Sequence, residues 1–160
     1  MKGIVIRPAS IDDAALIHEF ILDLARFENA EEEVVATVSD IERSLFGTDT
    51  SAYALIGSVN EKPVSTAIYF YNYSTWAGKK GLFLEDLYVS AESRGSGVGR
   101  AMLAHLAKLA VEQGCGRFEW NVLDWNVQAI KVYDSIGAMP QNEWIGYRLS
   151  GDALARLASS

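Results

Sequence analysis

A glycine-rich loop between a predicted strand and a predicted helix constrains the fold more than any other feature of the sequence. The run Leu82–Val89 is strand-like, the loop Arg94-Gly95-Ser96-Gly97-Val98-Gly99-Arg100 follows it, and Ala101–Gln113 is helix-like. Glycines at alternate positions permit a tight turn and a close approach of the backbone to a ligand. The N–H groups of the loop and of the helix start favour an anion, and Arg94 and Arg100 add positive charge. The loop is therefore predicted to bind a pyrophosphate.

The spacing of the glycines excludes two familiar phosphate loops. A Walker A loop needs the string G-x-x-x-x-G-K-[ST], which does not occur in this chain. A dinucleotide fingerprint needs G-x-G-x-x-G near the start of a βαβ unit, whereas these glycines fall as G-x-G-x-G, late in the chain and after an arginine. A nucleotide-phosphate module is accordingly a weak interpretation, since the lysine of a P-loop and an acidic partner strand are both missing.

Composition predicts one globular domain over residues 1–160. The chain has 160 residues, of which 49% are hydrophobic, and a formal net charge of −7. That charge argues against a nucleic-acid partner and suits a small cationic substrate. Cys115 is the sole cysteine, so the chain has no disulfide framework. With neither a signal-peptide pattern nor an apolar run long enough to span a bilayer, we expect a cytoplasmic protein with no membrane partner.

Hydrophobic periodicity and turn residues predict an α+β chain with a central mixed sheet. Ser10 followed by Asp13 is a variant capping box that starts the first helix, and Thr37 with Asp40 is predicted to cap the second. A turn at Asn60–Pro63 predicts a hairpin. The predicted strands are Gly3–Arg7, Ala52–Val59, Val64–Tyr73, Leu82–Val89, Arg117–Leu123 and Glu143–Leu149, and the later helices are Val98–Gln113, Val127–Ile136 and Gly151–Leu157.

A second motif follows the loop at a plausible spacing. Asp124-Trp125-Asn126 is followed by Ala129, Tyr133 and Gly137-Ala138. This run resembles motif B of the GNAT acyl-CoA N-acyltransferases, and the glycine loop resembles their motif A. Two motifs in the right order are far more specific than either alone. The resemblance implies a GNAT-like fold, with a mainly antiparallel mixed sheet flanked by helices, and acetyl-CoA as cosubstrate with no metal.

Most of the chain resembles one branch of that superfamily more narrowly. Segments similar to the spermidine/spermine acetyltransferases are Val5-Ile6-Arg7-Pro8-Ala9, Phe27-Glu28 with Glu31-Glu32, Phe83-Leu84-Glu85-Asp86 and Tyr147-Arg148-Leu149. Tyr73-Ser74-Thr75-Trp76 and Val122-Leu123-Asp124-Trp125-Asn126 point to the thialysine Nε-acetyltransferase branch. The polyamine-acetylating branch has an aspartate where Ser74 stands and a glutamate where Ile145 stands, which weakens a polyamine assignment.

The resemblance implies a cofactor channel and an acceptor pocket. The backbone of Leu87–Val89 is expected to bind the pantetheine arm as an added strand would. The expected pyrophosphate-binding residues are Arg94, Gly95, Ser96, Gly97, Val98, Gly99 and Arg100, and Asn126 and Ala129 line the same channel. The acceptor-pocket candidates are Phe27, Glu28, Ser74, Trp76 and Asp86, with carboxylates to attract an ammonium and rings to border its methylenes.

Acetyl transfer to an amine asks for few catalytic groups. An amine of pKa about 10.4 is only roughly 0.1% neutral near pH ~7.4, so a carboxylate has to accept its proton. Glu85 is the candidate base, and Asp86 would point to the other side of the strand unless a bulge intervenes. The resemblance implies that the Leu87 N–H stabilises the oxyanion and that Tyr133 protonates the leaving thiolate.

The sequence leaves three alternatives open. Within the acetyltransferases, a thialysine- or lysine-like amino acid is the favoured acceptor and a diamine or polyamine is the second candidate. From another class, a non-catalytic acyl-CoA-binding regulator would be expected to lack the residue type at Glu85 or Tyr133, and both are present. The resemblance also implies a homodimer, which nothing in the residue pattern itself establishes.

Overall fold

The computed structural model of the chain describes residues 3–160 and contains one five-stranded sheet. The strands are β1 (Ile4–Pro8), β2 (Tyr53–Val59), β3 (Lys62–Ser74), β4 (Lys79–Val89) and β5 (Phe118–Trp120), and the helices are α1 (Ala14–Phe27), α2 (Val38–Phe46), α3 (Val98–Glu112), α4 (Val127–Ser135) and α5 (Gly151–Ala158). The sheet order is β1-β2-β3-β4-β5, antiparallel except for the parallel pair β4–β5. The predicted fold class, a mainly antiparallel mixed sheet with helices, is confirmed.

Two compact units make up the chain, one ending at Asn121 and the other running from Val122 to Ser160. The first unit contains the whole sheet with α1, α2 and α3, and the second contains α4 and α5. None of the helices among the described residues is long and apolar enough to cross a membrane.

Apolar side chains cover both faces of the sheet in the first unit. On one face α1 and α2 pack over the sheet, in a core of Ala14, Ile17, Ile41, Ala54, Ile56 and Ile68. On the other face α3 buries Val98, Met102, Leu103, Leu106 and Ala110. The α3 face lies close to β2, because a Cβ added to Gly57 would meet the Met102 sulfur at 2.9 Å. The two faces therefore give β2, β3 and β4 rigid support.

Local capping signals placed the first two helices correctly. Ser10 and Asp13 form the predicted capping box, with the Ser10 N–H donating to Asp13 Oδ2 at 2.8 Å, although a short 3₁₀ turn at Ile11–Asp13 precedes α1. The Asp13 carboxylate also accepts two bonds from Arg7, at 2.7 and 2.8 Å. Thr37 and Asp40 form the second box and start α2. These reciprocal bonds satisfy N–H groups that have no partner within the helix.

The predicted strand at Glu143–Leu149 is wrong. The structure has no strand in that segment, and Trp144, Ile145 and Tyr147 are 67%, 79% and 96% exposed. Alternating apolar residues give a segment the capacity to form a strand, but a ladder also needs a neighbouring strand to share its hydrogen bonds. None of the strands that the structure describes pairs with the segment Glu143–Leu149. For the same reason β5 covers only Phe118–Trp120 of the predicted Arg117–Leu123.

Candidate functional site

A bulge in β4 places two acidic residues at one point of the sheet. Ile68 of β3 lies opposite Asp86, whereas the next residue, Tyr69, lies opposite Leu84, so Glu85 has no opposing residue. A bulge adds one residue to a strand and re-aims the side chains around it. Asp86 therefore shares the face of Ile68, which packs against α1, while Glu85 is exposed at the bulge itself. This is the bulge on which the placement of Asp86 depended.

Asp86 lies near two other carboxylates at this bulge, and their charges act on its protonation. Burial, followed by the charges of Glu85 and Glu28, raises the pKa of Asp86 to about 6. Glu28, immediately after α1, is half-buried, and burial raises the pKa of its carboxyl as well. An acidic group held partly desolvated between two like charges gains most from an added cation. Glu28, Glu85 and Asp86, here called the carboxylate cluster, are suited to bind an ammonium group.

Beyond the bulge, one backbone edge of β4 has no strand beside it. The pairing with β5 covers only Leu82, Phe83 and Leu84, although β4 continues to Val89. The Ser90 N–H donates to the Val64 carbonyl of β3 at 2.8 Å. Because successive residues of a strand point their backbone groups in opposite directions, those of Leu87 and Val89 face the edge away from β3. This edge, within a few residues of the carboxylate cluster, can accept an extended ligand and offers the Leu87 N–H to it.

The glycine loop leads from the end of β4 into α3. Gly95 and Gly97 have φ angles of 76° and 90°, in the left-handed region that favours glycine. Gly97 is the N-cap of α3, and the first intrahelical bond runs from the Ala101 N–H to the Gly97 carbonyl at 3.0 Å. The N–H groups of Val98, Gly99 and Arg100 precede that bond and point out of the helix start.

A pyrophosphate fits this helix start on three counts. The outward N–H groups are its natural donors. The Arg100 side chain adds charge at the exposed surface. A Cβ added to Gly95 would meet nothing within 4 Å, so the space beside the loop is open. Val98 is buried and anchors the loop, and Ser96 holds it from within, its hydroxyl donating to the Ser93 carbonyl at 2.5 Å.

The second unit carries the remaining predicted residues on α4. Asn126 is the N-cap of this helix, and its side-chain oxygen accepts the Ala129 N–H at 3.3 Å. Tyr133 lies one turn further on, and burial raises the pKa of its hydroxyl. The spacing Asn126–Ala129–Tyr133 thus follows from a capped helix. A tyrosine hydroxyl is protonated at neutral pH in any case, so Tyr133 has a proton to donate.

Two of the predicted acceptor residues lie away from the carboxylate cluster. Ser74 is paired with Lys79 at the end of β3, six residues beyond Ile68, which is on the order of 20 Å at the rise of a strand. Its side chain is buried, and its hydroxyl accepts the Ala77 N–H at 3.2 Å, so it stabilises the β3–β4 turn. Trp76, in the same turn, is 90% exposed. Within this chain the structure groups Phe27 and Glu28 with Asp86, and leaves Ser74 and Trp76 at the far end of the hairpin.

Sequence reasoning missed the residues that hold the end of α1 against β4. The Tyr88 hydroxyl donates to Asp23 Oδ2 at 3.3 Å, and Arg26 bonds both Asp23, at 2.8 Å, and Glu31, at 2.9 Å. The i, i+3 spacing of Asp23 and Arg26 on a predicted helix was a usable signal for their pairing. No sequence signal indicated that Asp23 would contact Tyr88 of β4, because the two residues are 65 positions apart.

Comparison with known proteins agrees with this geometry. The Acetyltransferase (GNAT) family matches residues 18–138. This chain belongs to the GNAT acetyltransferase family. It is similar to the thialysine N-epsilon-acetyltransferase of Sus scrofa, with 31% identity over 99% of both chains. It is also similar to the spermidine/spermine N(1)-acetyltransferase-like protein 1 of Homo sapiens, with 35% identity. That match covers 90% of this chain and 22% of the human protein.

A solved structure supports the same family at the level of the fold. An integron cassette protein from the mobile metagenome of V. cholerae matches with a TM-score of 0.82 and 26% identity, over the whole of both chains. The protein is accordingly a GNAT N-acetyltransferase, and the predicted enzyme class is confirmed. The non-catalytic regulator is set aside. Among residues 3–160 no group of three or more His, Cys, Asp or Glu side chains could hold a metal ion.

Proposed function

We propose that this GNAT enzyme transfers an acetyl group from acetyl-CoA to a primary amine of a small cationic substrate. A thialysine- or lysine-like amino acid is the favoured acceptor. The observation that carries the proposal is the carboxylate cluster at the β4 bulge, directly beside a strand edge without a neighbour. The carboxylate cluster would attract an ammonium group, and the strand edge beside it would bind an extended acyl carrier. The similar pig protein, named for thialysine, supports the choice of acceptor.

The chain's own residues supply binding and orientation for the acetyl donor. The N–H groups at the start of α3, with Arg100, would hold the pyrophosphate, and the β4 edge at Leu87 and Val89 would bind the pantetheine arm. When bound, acetyl-CoA supplies an activated thioester carbonyl. Asn126 and Ala129 are proposed to line the same channel.

Direct attack in a ternary complex needs proton transfers at two atoms. Glu85, directly or through a water, accepts the ammonium proton and leaves a nucleophilic nitrogen. Asp86 and Glu28 hold the cationic substrate. The Leu87 N–H donates to the carbonyl oxygen as it gains negative charge, and Tyr133 donates its proton to the departing sulfur as the C–S bond breaks. The acylated nitrogen loses a second proton, which returns to Tyr133 through solvent, and the products are a neutral amide and a free thiol.

The direct test is release of thiol from acetyl-CoA in the presence of a panel of amines, with the acetylated product identified by mass spectrometry. Thialysine and lysine are expected to be acetylated at the side-chain amine, and no thiol should appear without an amine. Glu85→Gln should lower kcat by about 10²-fold at pH ~7 and less at higher pH, where more of the amine is already neutral. A panel in which no amine releases thiol would exclude the proposal.

A diamine or polyamine is the second candidate acceptor. The acidic charge of the chain, −7, suits any polycation, and the similar human protein is named for spermidine and spermine. The amino acid is placed first because the similar protein named for thialysine matches over 99% of both chains, whereas the match to the human protein covers 22% of that protein. The same panel separates the two candidates.

We further propose that the two units act as one catalytic domain and that the enzyme is a cytoplasmic homodimer. The family match runs across both units, from residue 18 to 138. Large apolar residues of the second unit are exposed, among them Met139 at 77% and Trp144 at 67%, and a second copy would remove such surface from water. Light scattering after size exclusion is expected to give twice the 17.5 kDa chain mass. A monomeric mass at micromolar concentration would contradict the dimer.

A further inference from the structure

The side chain of Arg94, the first residue of the glycine loop, turns back towards β4 and α1. Its Nε donates to the Val89 carbonyl at 3.0 Å. The guanidinium carbon lies 4.7 Å from the ring centroid of Phe27, at the end of α1, and 5.9 Å from that of Tyr88. A guanidinium has two faces that stack on rings and an edge that carries donors. Arg94 uses a face for the rings and its Nε for β4.

The ring under Arg94 adjoins the acceptor side of the site. Phe27 is the last residue of α1, and the next residue, Glu28, is close enough to Asp86 to raise the pKa of that carboxyl. One side chain therefore joins the loop that would bind the cofactor to the segment that carries an acceptor carboxylate. The two remaining guanidinium donors, Nη1 and Nη2, belong to the planar edge and can pair with an anion while the face stays on Phe27.

The end of α1 does not depend on Arg94 for its position. Phe20 packs on Tyr88 with the ring centroids 5.1 Å apart, and the Tyr88 hydroxyl donates to Asp23 at 3.3 Å. Arg26 bonds Asp23 and Glu31 and braces the segment that follows the helix. Replacing Arg94, which is itself exposed, should leave the fold intact. The contact with Phe27 is thus available for a role in binding.

We propose that Arg94 is a positioning residue that couples the binding of the two substrates through Phe27. A pyrophosphate on the loop orders the guanidinium, the guanidinium fixes the ring of the Phe27 side chain next to Glu28, and the acceptor amine then binds beside a ring that is already in place. Coupling of this kind is reciprocal, so the amine strengthens cofactor binding by the same factor. This inference rests on the proposed function, since it takes the loop and the carboxylate cluster as the two substrate sites.

Titration calorimetry on the 160-residue enzyme measures the coupling directly. Thialysine is titrated with and without saturating CoA, which binds without reacting. In the wild type we expect thialysine to bind about 5-fold more tightly with CoA present, at the low end of typical coupling factors. Arg94→Lys keeps the charge but removes the Nε donor and the planar face, and Phe27→Leu removes the ring. Each variant is expected to reduce the coupling to below about 2-fold, because a ~5-fold effect is as small as the contribution of one exposed cation–π contact.

Three further variants separate coupling from other effects. Phe27→Tyr keeps the ring and should keep the coupling. The double variant Arg94→Lys with Phe27→Leu should lose no more coupling than either single variant, because both remove one contact. Arg43→Lys, the same exchange on the surface of α2 where Arg43 pairs with Asp40, should behave as the wild type.

The results overturn the inference in either of two ways. A wild type whose thialysine affinity does not respond to CoA has no coupling to explain. Wild-type coupling in Arg94→Lys or Phe27→Leu would show that their contact does not carry it, even if Arg94→Lys binds CoA more weakly through a lost phosphate contact. Failure of the proposed function is a distinct result: unmodified enzyme that neither binds CoA nor acetylates thialysine or spermidine removes both proposals at once.

Discussion

Asp86 lowers the free energy of unfolding at neutral pH and is also proposed to bind the acceptor amine. Its carboxyl is largely buried beside two like charges, and its pKa is raised to about 6 from an ordinary 3.8. At a pH between 3.8 and about 6, the Asp86 carboxyl is deprotonated in the unfolded chain but still protonated in the folded chain. Stability therefore falls as pH rises from about 4 to about 6, and the cost is full at neutral pH.

Replacing Asp86 by Asn should accordingly stabilise the protein at neutral pH while weakening acceptor binding. A shift of about two pKa units corresponds to roughly 2–3 kcal/mol. Urea unfolding at pH 7.5 is expected to show a gain of that order for Asp86→Asn, which disappears near pH 4. The KM for the amine should rise in the same variant. A gain in unfolding free energy that is equal at both pH values would contradict the assigned pKa.

The Tyr133 hydroxyl provides a second test at the residue scale. Tyr133→Phe removes one oxygen and little volume, so the unfolding transition should hardly move, whereas kcat should fall by about 10²–10⁴-fold if the hydroxyl is the general acid. Tyr73 is an exposed tyrosine of β3, so Tyr73→Phe is the matched control and should have the kcat of the wild type. Steady-state kinetics with saturating acetyl-CoA decide the point, and a wild-type kcat in Tyr133→Phe would reject the role.

At the scale of elements, α3 carries glycines in the same unusual conformation at both ends. Gly97, its N-cap, has a φ of 90°, and Gly114, just beyond its last turn, has a φ of 69°. Any side chain placed at such an angle costs about 1–2 kcal/mol. Only the N-terminal glycine lies on the proposed phosphate site, so the pair separates backbone strain from ligand binding.

Gly97→Ala and Gly114→Ala should therefore destabilise the protein to a similar extent but differ in cofactor binding. A Cβ at Gly114 would meet nothing within 4 Å, so strain alone acts there. Calorimetric titration with CoA is expected to show at least a ~10-fold weaker affinity for Gly97→Ala and a wild-type affinity for Gly114→Ala. Equal CoA affinity in the two variants would place the pyrophosphate elsewhere.

At the scale of the whole molecule, net charge and pocket charge act together on the choice of substrate. The chain carries −7, and its acidic residues include the run Glu31–Glu33 after α1. Long-range attraction favours a polycation such as spermidine, whereas the carboxylate cluster can bind a single ammonium group. Exposed carboxylates contribute only about 0–1 kcal/mol each, so the local site should decide.

Thialysine, or lysine itself, is accordingly expected to show a higher kcat/KM than spermidine. Competition at equal amine concentration, with both acetylated products quantified, measures that ratio directly. Raising the salt concentration should lower the spermidine rate more, because a polycation depends more on screened attraction. A preference for spermidine would reject the thialysine assignment and leave the GNAT acetyltransferase class unchanged.

Features that depend on near neighbours along the chain could be predicted from the residue types alone. Capping boxes at Ser10 and Thr37, the left-handed glycines of the loop, and the Asn126 cap of α4 are all local hydrogen-bond or backbone requirements, and residue types reveal them. The order of elements as far as α4 and the α+β class followed from hydrophobic periodicity and turn residues, whereas the family came from the resemblance of two motifs to those of the GNAT acyltransferases. The glycine loop stood out by its spacing, and the role predicted for Tyr133 came from the resemblance to motif B.

Features that depend on pairing between distant segments became visible only in the folded chain. The bulge that re-aims Asp86 is a register shift between β3 and β4, and the open edge at Leu87 exists because β5 stops short. The absent strand at Glu143–Leu149 and the turn role of Ser74 were also beyond local signals. Contacts such as Arg94 with Phe27 join residues 67 positions apart, and their formation depends on how whole elements pack rather than on the residues at either end.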